Sequence, residues 1–234
     1  GLWNFLPDDG IKKLSEDKGD PKKVLAFGFG VYEWSQWDGE NPRNEDGSWR
    51  ENRTVPFNLQ RFLVWNQVVN GAQGVLIYGL YHIQPGSEPY AEYDAHHWKQ
   101  ITAIYRELNS LYDVLLEPEF YDEWEVDTHE EHIEAMMKKH DNKIYLFATS
   151  KHYEDIEDVT ITLDNKDDID SVTSINDIID GDTENPDNRP IDVNADSHSF
   201  TDDFVGDYNA TPGDLDSPGY DVNIYEIKCD GGCV

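Results

Sequence analysis

A carboxylate flanked by aromatic rings is the chemistry-bearing feature of this chain: Tyr32-Glu33-Trp34, with Trp37 and Trp49 following in the same loop. A carboxylate serves as nucleophile or as general acid/base, and flat indole and phenol faces offer apolar surface on which a sugar ring stacks. Further along, Tyr78, Tyr81 and His82 lie on or just after a second apolar run. Each has a plainer reading as well: Glu33 as one loop carboxylate among many, and Tyr78 as a buried aromatic filling a core. Other candidates carry less. His96-His97 beside Trp98 has no third ligand at a suitable spacing, so it reads as a solvated helix start rather than a zinc site. Asp192-x-Asn194-x-Asp196, with Asp203 at the twelfth position, has half the spacing of a calcium loop, but Ser197 stands where glycine is expected. No cofactor is expected, with calcium the one alternative. Gly28-Phe-Gly30 lacks the third glycine of a dinucleotide fingerprint, and neither a Walker nor a Ser-His-Asp signature is present.

The elements that must position these residues are legible as periodicity. Residues 24–34 (VLAFGFGVYEW) form an apolar run suited to a strand buried on both faces of a parallel sheet. FNLQRFLVWNQVVNGA follows, with Phe57, Phe62, Val64, Trp65, Val68 and Val69 at helical spacing and Asn70-Gly71 placed as a C-cap. Residues 74–83 (GVLIYGLYHI) read as a second buried strand. A helix over 94–116 is predicted to carry Trp98, Ile101, Ile104, Tyr105, Leu108, Leu111 and Leu115 on one stripe. Two consecutive strand–helix units imply a parallel sheet, and two strands alone cannot bury both faces of one. Further strands must come from elsewhere.

The order of these features, a strand after Pro21-Lys22-Lys23, an Arg53-x-x-Pro56 turn, a helix ending in Asn-Gly-Ala-Gln-Gly and a strand carrying Ile77-Tyr78-Gly79, resembles the last two units of a (β/α)8-barrel glycoside hydrolase. The resemblance covers roughly the first half of the chain. It implies that residues 1–118 are the C-terminal part of a TIM-type barrel holding strands seven and eight, with the first six strands absent. It also implies that Glu33, at the end of the seventh strand where barrel active sites are built, is the nucleophile of a retaining mechanism that needs a second carboxylate about 5 Å away. That partner belongs at the end of the fourth strand, so the chain alone is expected to be catalytically incomplete. Tyr32, Trp34, Trp37, Trp49, Tyr78 and His82 are the implied sugar-binding residues.

After Glu117-Pro118 the period changes. Residues 133–137, 143–149, 158–163, 171–175, 199–204 and 222–227 are short alternating or β-branched runs between Asn, Asp, Gly and Pro clusters, the pattern of an antiparallel sandwich. The fold class is therefore α/β plus all-β: a partial barrel, then a β-sandwich over 119–228, then a tail over 229–234. Such a sandwich resembles the domain that follows many glycoside hydrolase barrels. The acidic insert of 180–221 reads as long loops around one further strand.

Charge narrows the partners. With 49 acidic against 18 basic residues and a formal net charge of −31 over 234 residues, the chain repels nucleic acid and anionic lipid. Such a surface suits high salt or divalent cations. No run of apolar residues is long enough to span a membrane, and the N-terminus lacks a signal-peptide pattern. Cys229 and Cys233 stand alone, too few for a metal site, and predict a small terminal disulfide in an exported protein. The sequons Asn52-Arg-Thr54 and Asn209-Ala-Thr211 agree with an extracellular or cell-surface location. Three functions follow: the C-terminal portion of a glycosidase completed by a second chain or second copy, a non-catalytic carbohydrate-binding module, or a structural subunit of an extracellular assembly.

Overall fold

The structure, a computed structural model, describes residues 26–30, 57–72, 74–78, 91–118, 125–128, 130–152, 154–164, 168–175, 188–194, 198–207 and 221–233. Strands β1 (Ala26–Gly30) and β2 (Gly74–Tyr78) pair in parallel, joined through helix α1 (Phe57–Val69). That is the strand–helix–strand unit the apolar runs predict. Helix α1 stops where the sequence says it should. Gly71 takes φ 90°, its N–H donates to the Val68 carbonyl at 2.9 Å, and the Ala72 N–H donates to the Gln67 carbonyl at 2.9 Å. This is a Schellman ending, whose left-handed residue is cheap only for glycine.

The predicted helix over 94–116 divides into α2 (Ala91–Ser110) and α3 (Tyr112–Leu116). Leu111 marks the break with φ −103° and ψ 12°; its N–H still reaches the Glu107 carbonyl at 3.3 Å, and the Leu115 N–H reaches the Leu111 carbonyl at 2.8 Å. Burial departs from the predicted stripe: Ile101, Ile104, Leu111 and Val114 face inward, but Trp98 and Tyr105 are exposed. Gln100 and Glu107 take inward positions instead.

Eight further strands follow: β3 (Glu125–Asp127), β4 (Ile133–His140), β5 (Lys143–Ser150), β6 (Glu154–Asp164), β7 (Ile169–Ser174), β8 (Arg189–Ile191), β9 (Ser199–Asp207) and β10 (Val222–Cys229). All pair antiparallel, as a five-stranded sheet β4-β5-β10-β7-β8 and a three-stranded sheet β3-β6-β9. The β4–β5 hairpin closes through Asp141-Asn142, both at positive φ (50° and 60°), which matches the right-handed strand twist. Pro190 sits in β8, at an edge of the larger sheet where a missing N–H costs least. The acidic β3 has no hydrophobic signal and was not foreseen.

The period of two along the central strands divides their side chains between two cores. On β5 and β10, Ile144, Leu146, Ala148, Tyr225 and Ile227 meet Val159, Ile161, Leu163, Phe200 and Phe204 of the smaller sheet. The intervening Phe147, Val222 and Ile224 meet Phe62, Trp65, Val68 and Val69 of α1 together with Leu111 and Val114. Trp65 stacks on Phe147 with centroids 5.3 Å apart. The result is three layers, helices on sheet on sheet, with the five-stranded sheet in the middle. Among the described side chains of α1, Gln60, Arg61, Phe62, Val64, Trp65, Asn66, Val68 and Val69 are buried.

The two cysteines are joined as a disulfide and both are buried. The tail does not fray: the Cys233 N–H donates to the Asn142 carbonyl at 3.2 Å, tying it to the β4–β5 turn.

Candidate functional site

The parallel register Ala26↔Gly74 through Gly30↔Tyr78 brings the C-terminal ends of β1 and β2 to one edge. Tyr78 is the last residue of β2 and stands opposite Gly30. Glu33, Tyr32, Trp34, Trp37, Trp49 and His82 lie outside the described residues, as do both sequons. The structure therefore brings together Tyr78 and the end of the strand that leads to Glu33, three residues beyond Gly30. Of the calcium half-loop, Asp192, Asn194 and Asp203 are described. Asn194 Nδ2 donates to Ser199 Oγ at 2.8 Å, and Asp203 Oδ1 accepts from the Asp158 N–H at 2.8 Å. Among the described residues, no group of three or more His, Cys, Asp or Glu side chains is arranged to hold a metal.

Sequence reasoning missed a buried charge cluster between the helices and the sheet. Glu107 on α2 receives Arg61 Nε at 3.0 Å on each carboxylate oxygen, Arg61 Nη2 at 2.6 Å and Trp65 Nε1 at 2.8 Å. Arg61 Nη1 also donates to the Val222 carbonyl of β10 at 2.8 Å. Arg61 and Glu107 are each 2% exposed and Trp65 is 0% exposed. Buried charge survives only when paired and hydrogen-bonded, and this pair is saturated. A carboxylate engaged in this way has no lone pair left for a substrate, so the cluster fastens α1 and α2 to β10 rather than doing chemistry. The signal in the sequence, Arg61 and Trp65 one turn apart on a helix, gives no hint of a partner 46 residues away.

Two further carboxylates are held within the sheets. Asp202 accepts from the Tyr225 hydroxyl at 3.0 Å and from Arg189 Nη2 at 2.7 and 2.9 Å. Burial foremost, and the Asp202 charge beside it, push the Tyr225 phenol well above its ordinary value. On the helix-facing side, Glu226 accepts from Lys143 Nζ at 2.9 Å and Tyr145 Oη at 3.0 Å. Burial works to raise the Glu226 pKa, but the Lys143 and Tyr145 hydrogen bonds and the Lys143 and Lys228 charges outweigh it and leave it lowered. Tyr145 is pushed up to about 12, first by burial and then by the Glu226 charge.

At the other end of the helical layer, a groove of about 670 Å³ runs between the end of α1 and helices α2 and α3. Val68, Leu108, Leu115 and Met136 line it, with Tyr105 and Tyr112 at its rim. Lys138 closes one side, donating its ammonium to the Leu115 and Glu117 carbonyls at the C-terminal end of α3. A cation there offsets the partial negative charge of the helix end.

No family model matches the chain, and no curated protein matches it. Among solved structures it is similar to a GH30 endoxylanase from Clostridium papyrosolvens C71, with TM-score 0.45 and 10% identity, covering 97% of this chain and 47% of that one. It is similar also to AmyB, a noncanonic maltogenic alpha-amylase from Thermotoga neapolitana, with TM-score 0.32 and 14% identity, covering 86% and 59%. The chain thus spans about half the length of these structures. Likenesses this distant establish neither family nor function.

Proposed function

We propose that the chain is a glycoside-hydrolase-like portion that acts on or binds carbohydrate and is catalytically incomplete alone. The observation that supports this reading is the parallel β1–β2 register. It sets the ends of two strands side by side at one edge, and Glu33 and His82 follow those ends by three and four residues in the sequence. Strand ends of this kind are where barrel enzymes gather catalytic groups from loops far apart in sequence. In this reading Glu33 is the nucleophile, Tyr32, Trp34, Trp37, Trp49, Tyr78 and His82 contact sugar, and the acid/base is supplied by a second chain or second copy completing the barrel. The two-stranded sheet agrees with such a partner: among the described residues β1 and β2 each pair on one side only, and unpaired strand edges recruit strands.

The test is Glu33→Gln in a reconstituted complex, which abolishes turnover while sparing binding. A complex whose turnover is unchanged by that substitution refutes the assignment. A chain that is monomeric in dilute solution, with both strand edges covered by its own segments, removes the need for the partner.

A further inference from the structure

Two imidazoles meet at the end of the β4–β5 ladder. His132 immediately precedes β4, and His152 follows the last residue of β5 by two. The Lys151 N–H donates to the His132 carbonyl at 2.8 Å, one rung beyond the Ile133↔Ser150 pair, and the His152 N–H donates to Ser150 Oγ at 3.2 Å. These bonds carry the pairing past the strands themselves and bring the two side chains together. Their ring centroids are 4.7 Å apart, with the planes inclined at 37°. Two imidazoles sharing one metal ion have a narrow range of separations. With metal–nitrogen bonds of about 2.0–2.1 Å and about 1.1 Å from a ring nitrogen to its ring centre, each centre stands about 3.2 Å from the ion. The centres are then about 4.5 Å apart for bonds at a right angle and about 5.2 Å apart for a tetrahedral pair. The observed 4.7 Å falls between the two. The rings are already at chelating distance, and only their nitrogens have to be turned toward one point.

We propose that His132 and His152 together bind one divalent transition-metal ion, copper(II) ahead of nickel(II) and zinc(II). Imidazole nitrogen suits these ions, and copper(II) stands highest among them in affinity for such donors; calcium and magnesium require oxygen ligands instead. Charge suits a cation as well. Glu131 Oε1 lies 3.5 Å from His132 Nε2, and a carboxylate beside one ring nitrogen leaves the other to the ion and strengthens it as a donor. Lys151, the cation next to both histidines in the ladder, is engaged by Glu134. Among the described residues no three His, Cys, Asp or Glu side chains converge, so water takes the remaining positions. The His132 side chain is 42% exposed and open to it. The bound ion clips the end of β4, an edge strand of the five-stranded sheet, to its neighbour β5. This site goes beyond the carbohydrate reading and shares no residue with it.

The experiment is calorimetric titration of the full chain with Cu2+, beside His132→Gln, His152→Gln and the double variant. The chain carries eight histidines, so the pattern of loss decides rather than binding itself. In the parent one ion binds tightly, and each single variant weakens it at least tenfold, because the second donor of a chelate acts from an effectively intramolecular position. The double variant binds little more weakly than either single one, since one histidine alone is no chelate. Excess Ca2+ displaces nothing. An NMR titration needs no variant: at substoichiometric Cu2+ the signals of Ile133, Ser150 and Lys151 broaden before those around His140 and His198. Four results overturn the site. They are single variants that bind Cu2+ as tightly as the parent, losses that add in the double variant as for two independent imidazoles, displacement of Cu2+ by Ca2+, which assigns the ion to carboxylates, and broadening that begins away from the β4–β5 end.

Discussion

Replacing Glu107 with alanine removes one partner of a buried pair and leaves three kinds of donor stranded. The Arg61 guanidinium, 2% exposed, keeps its charge and loses every contact except the Val222 carbonyl. Trp65 Nε1 loses its acceptor as well. Breaking a buried ion pair from one side costs about 3–5 kcal/mol. For a chain of this size each kcal/mol lowers the melting temperature by about 2–4 °C, so Glu107→Ala should melt roughly 6–20 °C lower. The double variant Arg61→Met/Glu107→Leu removes both charges and should recover a large part of the loss, because an apolar pair of similar volume carries no desolvation cost. Scanning calorimetry reads both. Since the cluster joins α1 and α2 to β10, the transition should remain single in the parent chain and in the double variant. A Glu107→Ala shift equivalent to less than about 1 kcal/mol would show that the guanidinium stays hydrated and the helices are not seated on the sheet through it. Two separate transitions in the parent would show the same thing by another route.

Other outcomes follow from single contacts. His140 Nδ1 lies 3.1 Å from Glu117 Oε1, and that hydrogen bond, ahead of the Asp141 and Glu117 charges, raises its pKa above 6.5 against the opposing pull of burial. A raised histidine stabilises the fold below its unfolded value and loses that contribution as pH rises through the folded one; an NMR titration should place His140 above 6.5, and Glu117→Gln should bring it down. Glu226 is lowered, so its contribution is present above the ordinary carboxylate range and fades as pH falls through the folded value. Lys143→Ala should therefore flatten the acid limb of the stability profile, and an unchanged limb would contradict the pairing. Cys233→Ser opens a loop of four residues' separation and should cost about 2 kcal/mol, with alkylation of the parent seen only after reduction. With a net charge of −31, the melting temperature should rise as NaCl shortens the screening length from about 30 Å at 0.01 M to about 3 Å at 1 M; indifference to salt would count against self-repulsion.

What the sequence made legible is what neighbours in the chain decide. The stop of α1 at Gly71 and the strand character of 143–149 rest on local chemistry and on periodicity; Gly71 ends the helix at φ 90°, and the strand runs Lys143–Ser150. Two positions of the helix stripe, Trp98 and Tyr105, were misread because burial there is decided at a distance. Glu107 carries a charge, and a charge on a helix ordinarily faces water; only the arrival of Arg61 and Trp65 makes the inward position affordable, which in turn rotates Trp98 and Tyr105 outward. β3, three residues of which two are acidic, takes its place by pairing Val126 with Leu163 and has no pattern of its own to announce it.

The alternation along β5 and β10 has a further consequence. Leu146 and Phe147 are adjacent in the chain yet belong to different interiors, one shared with the second sheet and one with the helices. A slip of a single residue in the pairing would exchange the two populations wholesale, so two independent packings veto the same error. The central strands thus act as a party wall between two rooms: each room is furnished from its own side, but neither can be demolished without leaving the wall's finished surface in the weather. A polypeptide severed between 118 and 125 would bare Phe147, Val222 and Ile224 to water. It would be expected to clump rather than to survive as a free-standing sandwich.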